Sequence, residues 1–200
     1  MDRIVLACDK NLKGFADHQI SKLTEFGYSY SFYDLGGVGY GEEFKIDSND
    51  IKKIDGFVRC HFKPKVIKKT LEEHDKVIYL DVDAVMNRPL EIEWDFDIGV
   101  TIRTAEEVIK YSNNDNVGAI NTGVIFFKKS DGVMHFLDQW IEMLDSKTIE
   151  QNAFNRLIRG TPLKVKQFPT LLYNNYYTTS NIAYITHYKG LGKQREWLKK

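Results

Sequence analysis

The sequence predicts an α/β fold with a largely parallel sheet that helices cover on both faces. The first observation is an alternation along the chain: short apolar runs bounded by polar residues are followed by segments with an apolar residue every three or four positions. The second is the composition, 42% hydrophobic and 28% charged over 200 residues, without a linker, repeat or low-complexity tract. We therefore expect one domain over residues 1–200, which is also compatible with one module of a longer protein.

The first part of the chain predicts two strands, a helix and a loop. RIVLAC (3–8) is typical of a short buried strand. The helix that follows ends at Gly27, and its apolar face consists of Leu12, Phe15, Ala16, Ile20 and Leu23. SYSFYDL (29–35) predicts the second strand. GGVGYGEE (36–43), which begins with four glycines in six residues, predicts a loop.

The remainder predicts further alternation. Lys63–Glu73 is predicted to be a helix with Pro64 in its first turn, where proline is tolerated. Apolar runs predict strands at VIYLDVD (77–83), FDIGVTI (96–102) and GVIFF (123–127), with a polar loop at SNNDN (112–116). A helical stripe is formed by Val133, Phe136, Leu137, Trp140, Ile141 and Leu144, and a helix over 149–158 follows. The last forty residues, rich in tyrosine, predict irregular structure with short strands.

Charge, cysteine content and hydropathy bear on the partner and the location of the protein. Lys+Arg and Asp+Glu both number 28, so the zero net charge argues against a nucleic-acid partner. Basic residues cluster in Arg59–Lys69 and in His187–Lys200, which suits one anionic ligand or two solvated faces. Cys8 is predicted to be a buried free thiol. Without a signal-peptide pattern or an apolar run of transmembrane length, we expect a cytoplasmic protein.

Acidic residues follow two of the predicted strands. Asp9 comes directly after RIVLAC, and Asp81 and Asp83 come after VIYL. In parallel α/β sheets, ligands bind beyond the carboxyl ends of the strands. Side chains two positions apart on a strand point the same way, so both members of this DxD motif are expected to face one point. Two adjacent carboxylates repel each other, and a divalent cation between them relieves that repulsion.

Two chemistries place acids at such a position. A haloacid-dehalogenase-like, magnesium-dependent phosphatase would use Asp81 as nucleophile, and DVDAV fits its DxDx[TV] pattern. A sugar-nucleotide transferase would instead hold a metal on the donor diphosphate with Asp81 and Asp83. The phosphatase needs its DxD on the first strand and a later acidic pair, but two strands precede this DxD and no such pair follows. The sequence therefore favours the transferase.

Five motifs in order resemble the GT-A glycosyltransferases of the retaining family 8, which includes glycogenin and bacterial lipopolysaccharide galactosyltransferases. They are IVLACDKN (4–11), DKVIYLDVDAVMNRPLE (75–91), NTGVIFF (121–127), EQNAFN (150–155) and ITHYKGLGK (185–193). The resemblance covers roughly the whole chain and implies the GT-A fold, a single Rossmann-like domain with a mixed, mostly parallel central sheet. A fainter resemblance is to small DxD glycosyltransferase domains of large algal viruses, which would imply a location in the host cytoplasm.

The resemblance implies a role for each matching residue. The uracil site would comprise Asp9, Ala7 and Asn11, and the metal ligands would be Asp81, Asp83 and His187, with Val82 between the acids. Lys193 and Gly190 would lie at the diphosphate. Asn121 and Gly123 would lie by the sugar, and Glu150 and Gln151 would face the reacting carbon. Lys63 and Arg59 are weaker candidates for the donor site, since each is equally compatible with a solvated side chain.

Three positions depart from the family pattern. Glu150 stands where the family has Asp, Lys193 lies one residue further from His187 than expected, and the Lys-Pro-Trp ending is replaced by KQREW, ending at Trp197. LLYNNYYTT (171–179) suits either stacking against a sugar acceptor or packing in the core.

The predicted function is transfer of a hexose or deoxyhexose from a UDP-sugar to a glycan, glycolipid, glycoprotein or other hydroxyl acceptor, with retention. Imidazole beside two carboxylates favours Mn²⁺, with Mg²⁺ as the alternative ion. The phosphatase and a non-catalytic sugar-nucleotide-binding module are the alternatives.

Overall fold

The computed structural model describes residues 2–46, 60–110, 118–145, 148–175 and 182–189, together with the backbone of two short strands, Lys53–Ile54 and Phe57–Val58. Its strands are β1 (Arg3–Cys8), β2 (Ser29–Asp34), β3 (Glu42–Glu43), β4 (Lys53–Ile54), β5 (Phe57–Val58), β6 (Lys76–Leu80), β7 (Ala84–Met86), β8 (Ile98–Ile102), β9 (Ile120–Lys128), β10 (Val165–Phe168) and β11 (Ile185–His187). Its α-helices are α1 (Lys13–Glu25), α2 (Phe62–Glu73), α3 (Ala105–Lys110), α4 (Asp131–Glu142), α5 (Glu150–Leu157) and α6 (Thr170–Tyr173). The predicted SNNDN loop lies outside the described residues.

The central sheet has seven strands in the order β10-β8-β9-β6-β1-β2-β3. Strands β6, β1, β2 and β3 run parallel, while β9 is antiparallel to both of its neighbours, β6 and β8. β10 is parallel to β8, so only β9 among these seven runs against the others. The predicted mixed, mostly parallel sheet is therefore confirmed. β1 and β6 are neighbours, so the residues that follow them, Asp9 and Asp81, share the carboxyl edge of the sheet.

Helices cover both faces of the sheet, because alternate residues of its apolar strands point to opposite sides. On β1, Ile4 and Leu6 pack in one core with Phe15 of α1, while Val5 and Ala7 pack in the other core with residues of α2, α4 and α5. Cys8 is a buried free thiol, as predicted.

The glycine-rich segment after β2 is a loop closed by Asp34. Oδ1 of this residue accepts hydrogen bonds from the backbone N–H of Gly36 (2.7 Å) and Val38 (3.2 Å), and Oδ2 accepts one from Gly39 (2.9 Å). Gly37 and Gly39 have φ of 76° and 89°, a left-handed backbone that glycine adopts without strain. The predicted loop is shorter than expected, because Glu42 and Glu43 pair with Tyr33 and Asp34 and form the edge strand β3.

A second, two-stranded sheet lies at the carboxyl edge of the large sheet. Its strands, β7 and β11, are antiparallel, with His187 opposite Ala84 and Ile185 opposite Met86. This pairing brings a segment near the end of the chain beside the residues that follow β6. The short strands expected in the last part of the chain are β10 and β11, whereas α3 was not predicted. None of the helices in the described part of the chain combines the length and hydropathy needed to cross a membrane.

Candidate functional site

The two acids of the DxD motif lie on a turn at the carboxyl end of β6. The strand ends at Leu80, and the turn is closed by the hydrogen bond from Ala84 N to Asp81 O (2.8 Å). The bond from Asp81 N to Gly123 O (2.8 Å) ties the start of this turn to β9. The expectation that strand alternation presents both carboxylates was wrong: the turn does so, and Val82 between them is buried.

His187 completes a cluster with these acids. Its Nε2 lies 3.3 Å from Asp83 Oδ1 and 3.9 Å from Asp81 Oδ2. One ligand atom from each of the three residues lies within 4.8 Å of the others. The backbone N–H of Tyr188 donates to Asp83 O (2.8 Å), which adds a second tie between the two segments. Two carboxylate oxygens and one imidazole nitrogen are a donor set that suits a divalent cation.

Gly123 lacks a side chain at the point where the His187 and Asp81 side chains approach the backbone of β9. A Cβ at this position would lie 2.2 Å from His187 Cε1 and 2.7 Å from Asp81 Oδ2, both far inside contact distance. Any larger residue would therefore have to displace the imidazole or the carboxylate. This explains the glycine in NTGVIFF by close approach of side chains, since its φ is not in the left-handed region.

Lys63 lies beneath the cluster and is almost completely buried, so the solvated alternative was wrong. Its Nζ lies 3.1 Å from Asp81 Oδ1 and 3.2 Å from Glu150 Oε1, and it donates to Thr122 O (3.1 Å). Burial lowers the pKa of the ammonium, but the two carboxylates outweigh burial and hold that pKa above its usual value. Lys63 is therefore a fixed positive charge inside the site.

Glu150 is the buried partner of that lysine. Its side chain is 5% exposed, and Oε1 accepts a hydrogen bond from Thr122 Oγ1 (2.8 Å) as well as contacting Lys63. Burial raises the pKa of the Glu150 carboxyl, and Lys63 and Thr122 offset part of the increase. The Glu150 backbone O accepts from Trp140 Nε1 (2.8 Å), which anchors the start of α5. The carboxylate is thus engaged within the protein below the site.

Asn121 of β9 and Gln151 of α5 lie together beside Gly123. Asn121 Oδ1 accepts from Gly123 N (3.0 Å) and from the Nδ2 of Asn174 (3.0 Å). Gln151 Oε1 accepts from Thr122 N (3.3 Å) and lies 3.5 Å from Asn121 Nδ2. Through Gly123, Asn121 and Gln151 therefore lie next to the cluster of Asp81, Asp83 and His187, while their roles at the sugar and the reacting carbon stay predictions.

The residues after β1 form a separate group at the same sheet edge. Asp9 accepts hydrogen bonds from Asn11 N (2.9 Å) and Asn11 Nδ2 (3.1 Å), and Ala7 is buried at the end of β1. Asn11 is exposed. Gly190, Lys193 and Arg59, together with Trp197, lie outside the described residues.

Sequence reasoning missed two polar groups at the site. Asn174, fully buried, places Oδ1 2.9 Å from His187 Nδ1. Glu107 accepts from Lys189 Nζ (2.8 Å) and lies 3.5 Å from Arg103 Nη1, while Arg103 Nη2 contacts Gln151 Oε1 (3.3 Å).

The only sequence signal for Asn174 was its place in LLYNNYYTT, where the tyrosines drew attention instead. Tyr173 of that segment is core: its ring stacks on Tyr184 and its hydroxyl donates to Glu91 O (2.7 Å).

Comparisons with known proteins identify a family for this chain. The sequence pattern of the nucleotide-diphospho-sugar transferase family matches residues 4–194. No curated protein gives a match to the chain.

Three solved glycosyltransferases are similar in fold. One is involved in glycosylation of the major capsid of PBCV-1 (TM-score 0.68, 10% identity, 100% of both chains covered). The galactosyltransferase LgtC, in complex with donor and acceptor sugar analogs, has a TM-score of 0.58 at 16% identity over 94% of this chain and 87% of that one. GlyE of Streptococcus pneumoniae TIGR4 has a TM-score of 0.62 at 14% identity over 99% of this chain and 59% of that one.

Identities this low show the fold alone, whereas the family pattern extends over nearly the whole chain. The chain therefore has the GT-A fold and belongs to the nucleotide-diphospho-sugar transferase family.

Proposed function

We propose that this chain transfers a hexose or deoxyhexose from a UDP-sugar to a hydroxyl group of a glycan, glycolipid or glycoprotein, with retention and with the help of a divalent metal ion. The observation that carries the proposal is the convergence of Asp81, Asp83 and His187 within 4.8 Å at the carboxyl edge of the sheet. Parallel α/β sheets bind ligands at this edge.

Formal charge supports a divalent ion. Asp81, Asp83 and Glu150 contribute three negative charges and Lys63 one positive charge, which leaves two negative charges with a neutral His187. The imidazole favours Mn²⁺ over Mg²⁺, because Mg²⁺ prefers oxygen ligands. A bound ion would stabilise the negative charge that develops on the departing nucleoside diphosphate.

The other site residues are proposed to orient the donor. Asp9 follows the strand next to β6, where its carboxylate would accept the uracil N–H beside Ala7 and Asn11. Asn121, Gly123 and Gln151 would lie along the sugar. Lys63 would hold Asp81 in place from below, and Lys193 and Gly190 remain predicted diphosphate contacts. A cytoplasmic location also remains a prediction.

Glu150 bears on the stereochemistry. An inverting transferase needs a carboxylate base beside the acceptor hydroxyl. Glu150, 5% exposed at its side chain, is paired with Lys63 and Thr122, so its carboxylate is poorly placed to receive a proton from an acceptor. This supports retention and makes Gln151 the side chain of this pair that is proposed to face the reacting carbon.

The test is a thermal-shift panel of UDP-sugars and UDP with and without Mn²⁺, followed by measurement of UDP release. We expect Mn²⁺ and UDP together to raise the melting temperature, one UDP-sugar to raise it most, and that sugar to be hydrolysed slowly without acceptor. Asp83→Asn should remove the metal-dependent shift. Asp95→Asn is the matched control, because Asp95 is an exposed partner of Lys166 that precedes β8 at the opposite edge of the sheet.

Other outcomes distinguish the alternatives. A shift with no UDP release from any UDP-sugar would indicate the binding module, and phosphate release from an aryl phosphate would indicate the phosphatase. No effect of Mn²⁺ on nucleotide affinity would overturn metal-dependent transfer.

A further inference from the structure

Asn174 lies directly behind His187, on the side away from the two aspartates. The asparagine is completely buried, and its Oδ1 lies 2.9 Å from His187 Nδ1. We propose that Asn174 is a positioning residue that keeps the proton of the neutral imidazole on Nδ1, so that Nε2 presents its lone pair to the space shared with Asp81 and Asp83. The effect on metal binding rests on the proposed function, whereas the hydrogen-bond arrangement and the tautomer do not.

Hydrogen bonds connect Gly123, Asn121, Asn174 and His187 in that order. The orientation of the Asn174 amide follows from the donor at the Gly123 end. The backbone N–H of Gly123 can only donate, and it contacts Asn121 Oδ1 at 3.0 Å. That atom of Asn121 is therefore an acceptor, so the Asn174 atom 3.0 Å from it must be the NH₂ nitrogen. The same nitrogen lies 2.6 Å from Thr101 Oγ1, a second acceptor. The carbonyl oxygen of Asn174 must then face His187.

A carbonyl oxygen at this position determines the tautomer of the imidazole. Since Asn174 Oδ1 can only accept, His187 Nδ1 must carry a proton. In the neutral ring Nε2 is then unprotonated, and it lies 3.3 Å from Asp83 Oδ1. Two carboxylates and an imidazole lone pair, with no proton among them, are suited to a cation. Histidines that bind metals usually have the other ring nitrogen held in this way.

The same amides connect the metal side of the site to the sugar side. Asn121 uses Oδ1 for Gly123 and Asn174, which leaves its NH₂ group facing Gln151 Oε1 at 3.5 Å. Displacing Asn174 should therefore disturb both His187 and the side chain proposed to face the reacting carbon.

Three variants test the proposal in the metal-free protein and in the Mn²⁺ titration. Asn174→Leu removes the acceptor, whereas Asn174→Asp keeps an acceptor for Nδ1 and guards against a variant that fails to fold. Asn155→Leu is the matched control, because Asn155 is another buried amide, bonded to both backbone groups of Ile120 and without a bond to His187. All three are expected to lose stability.

The decisive readout is the nitrogen NMR spectrum of ¹⁵N-histidine in the metal-free protein, with the His187 signals assigned by His187→Gln. We expect the Nδ1–H tautomer in the unmodified chain, in Asn174→Asp and in Asn155→Leu, and a shift toward Nε2–H in Asn174→Leu. Calorimetric Mn²⁺ titration with UDP should show an affinity loss of about 10- to 100-fold in Asn174→Leu, and little change in Asn155→Leu.

The Nε2–H tautomer in the unmodified chain, or an unchanged tautomer in Asn174→Leu, would overturn the proposal. Equal affinity losses in Asn174→Leu and Asn155→Leu would overturn it as well, since they would indicate a merely structural role. If the unmodified chain bound no Mn²⁺, metal-dependent transfer would fail, while the tautomer would still test the positioning role.

Discussion

Asp34 and Asp81 lie at the carboxyl ends of two strands of the same sheet, yet they are held in opposite ways. Asp34 takes its hydrogen bonds from the backbone of the next five residues, at Gly36, Val38 and Gly39. Asp81 accepts one local hydrogen bond, from the Tyr79 hydroxyl (2.9 Å), but it also contacts Lys63 on α2 and faces His187 on β11, residues brought to it only by the fold. A carboxylate with local partners closes a loop. One paired with a distant lysine, and still 29% exposed at its side chain, is available to a ligand.

The largest expected effect comes from removing the distant cation that contacts Asp81. Lys63→Met would leave Asp81 and Glu150 without their buried cation, and removing one partner of a buried ion pair costs about 3–5 kcal/mol. We expect a loss of that size in the free energy of unfolding, measured with urea. Lys166→Met, which removes a partly exposed partner of Asp95, should cost far less, because solvent screens an exposed ion pair. Equal small losses in both variants would contradict the buried-cation role.

Gly123→Ala tests the Asp81 region in a second way, because it changes the shape of the site without changing its charge. The new Cβ would collide with His187 Cε1 and Asp81 Oδ2, and overpacking of this kind costs about 1–3 kcal/mol. We also expect Mn²⁺ affinity, measured by calorimetry, to fall by at least about tenfold, as it does when support of metal ligands is lost. Gly160→Ala is the control, because a Cβ there meets nothing within 4 Å. Unchanged Mn²⁺ affinity in Gly123→Ala would show that the three ligands do not act together.

Asp34→Asn tests the local carboxylate. The amide keeps one acceptor oxygen but loses the charge that strengthens the bonds from Gly36, Val38 and Gly39, so we expect a loss of about 1–2 kcal/mol in unfolding free energy. The Mn²⁺-dependent thermal shift should remain, in contrast to Asp83→Asn. Loss of the metal response in Asp34→Asn would mean that the two acidic regions are coupled.

The smallest effect is the pH dependence of that loss. The Gly39 N–H, followed by those of Gly36 and Val38, lowers the pKa of the Asp34 carboxyl below its ordinary value of 3.8. The stabilisation is therefore present above the unfolded-state pKa and is lost as pH falls through the lower folded-state pKa. The stability gap between the unmodified chain and Asp34→Asn, measured by urea unfolding, should narrow as the pH is lowered from 5 to 3. A constant gap would assign the effect of the substitution to something other than charge.

The sequence allowed the parts of this molecule that depend on local pattern to be predicted. Short apolar runs predicted β1 and β6, and helical spacing predicted α1 and α4. The family resemblance, rather than a local pattern, predicted that His187 would meet the acids. Edge strand β3 escaped prediction because two glutamates carry no apolar pattern.

Burial of Lys63 and Asn174 escaped prediction for a different reason. A polar residue is buried only when partners from other segments satisfy it, and one sequence does not reveal those partners. Lys63 finds them on the β6 turn, β9 and α5. Asn174 finds them on β8, β9 and β11.

The pairing of β7 with β11 makes the site sensitive to chain length as well as to side-chain chemistry. His187 faces the aspartates only because it lies opposite Ala84, directly after Asp83. Neighbouring positions on a strand point to opposite sides, so deleting one residue within Ile185–His187 would turn the imidazole away and shift the ladder by about 3.3 Å. Substituting a residue that contacts the imidazole, such as Asn174, would weaken the proposed metal site, whereas a single deletion in this strand would remove the imidazole from it.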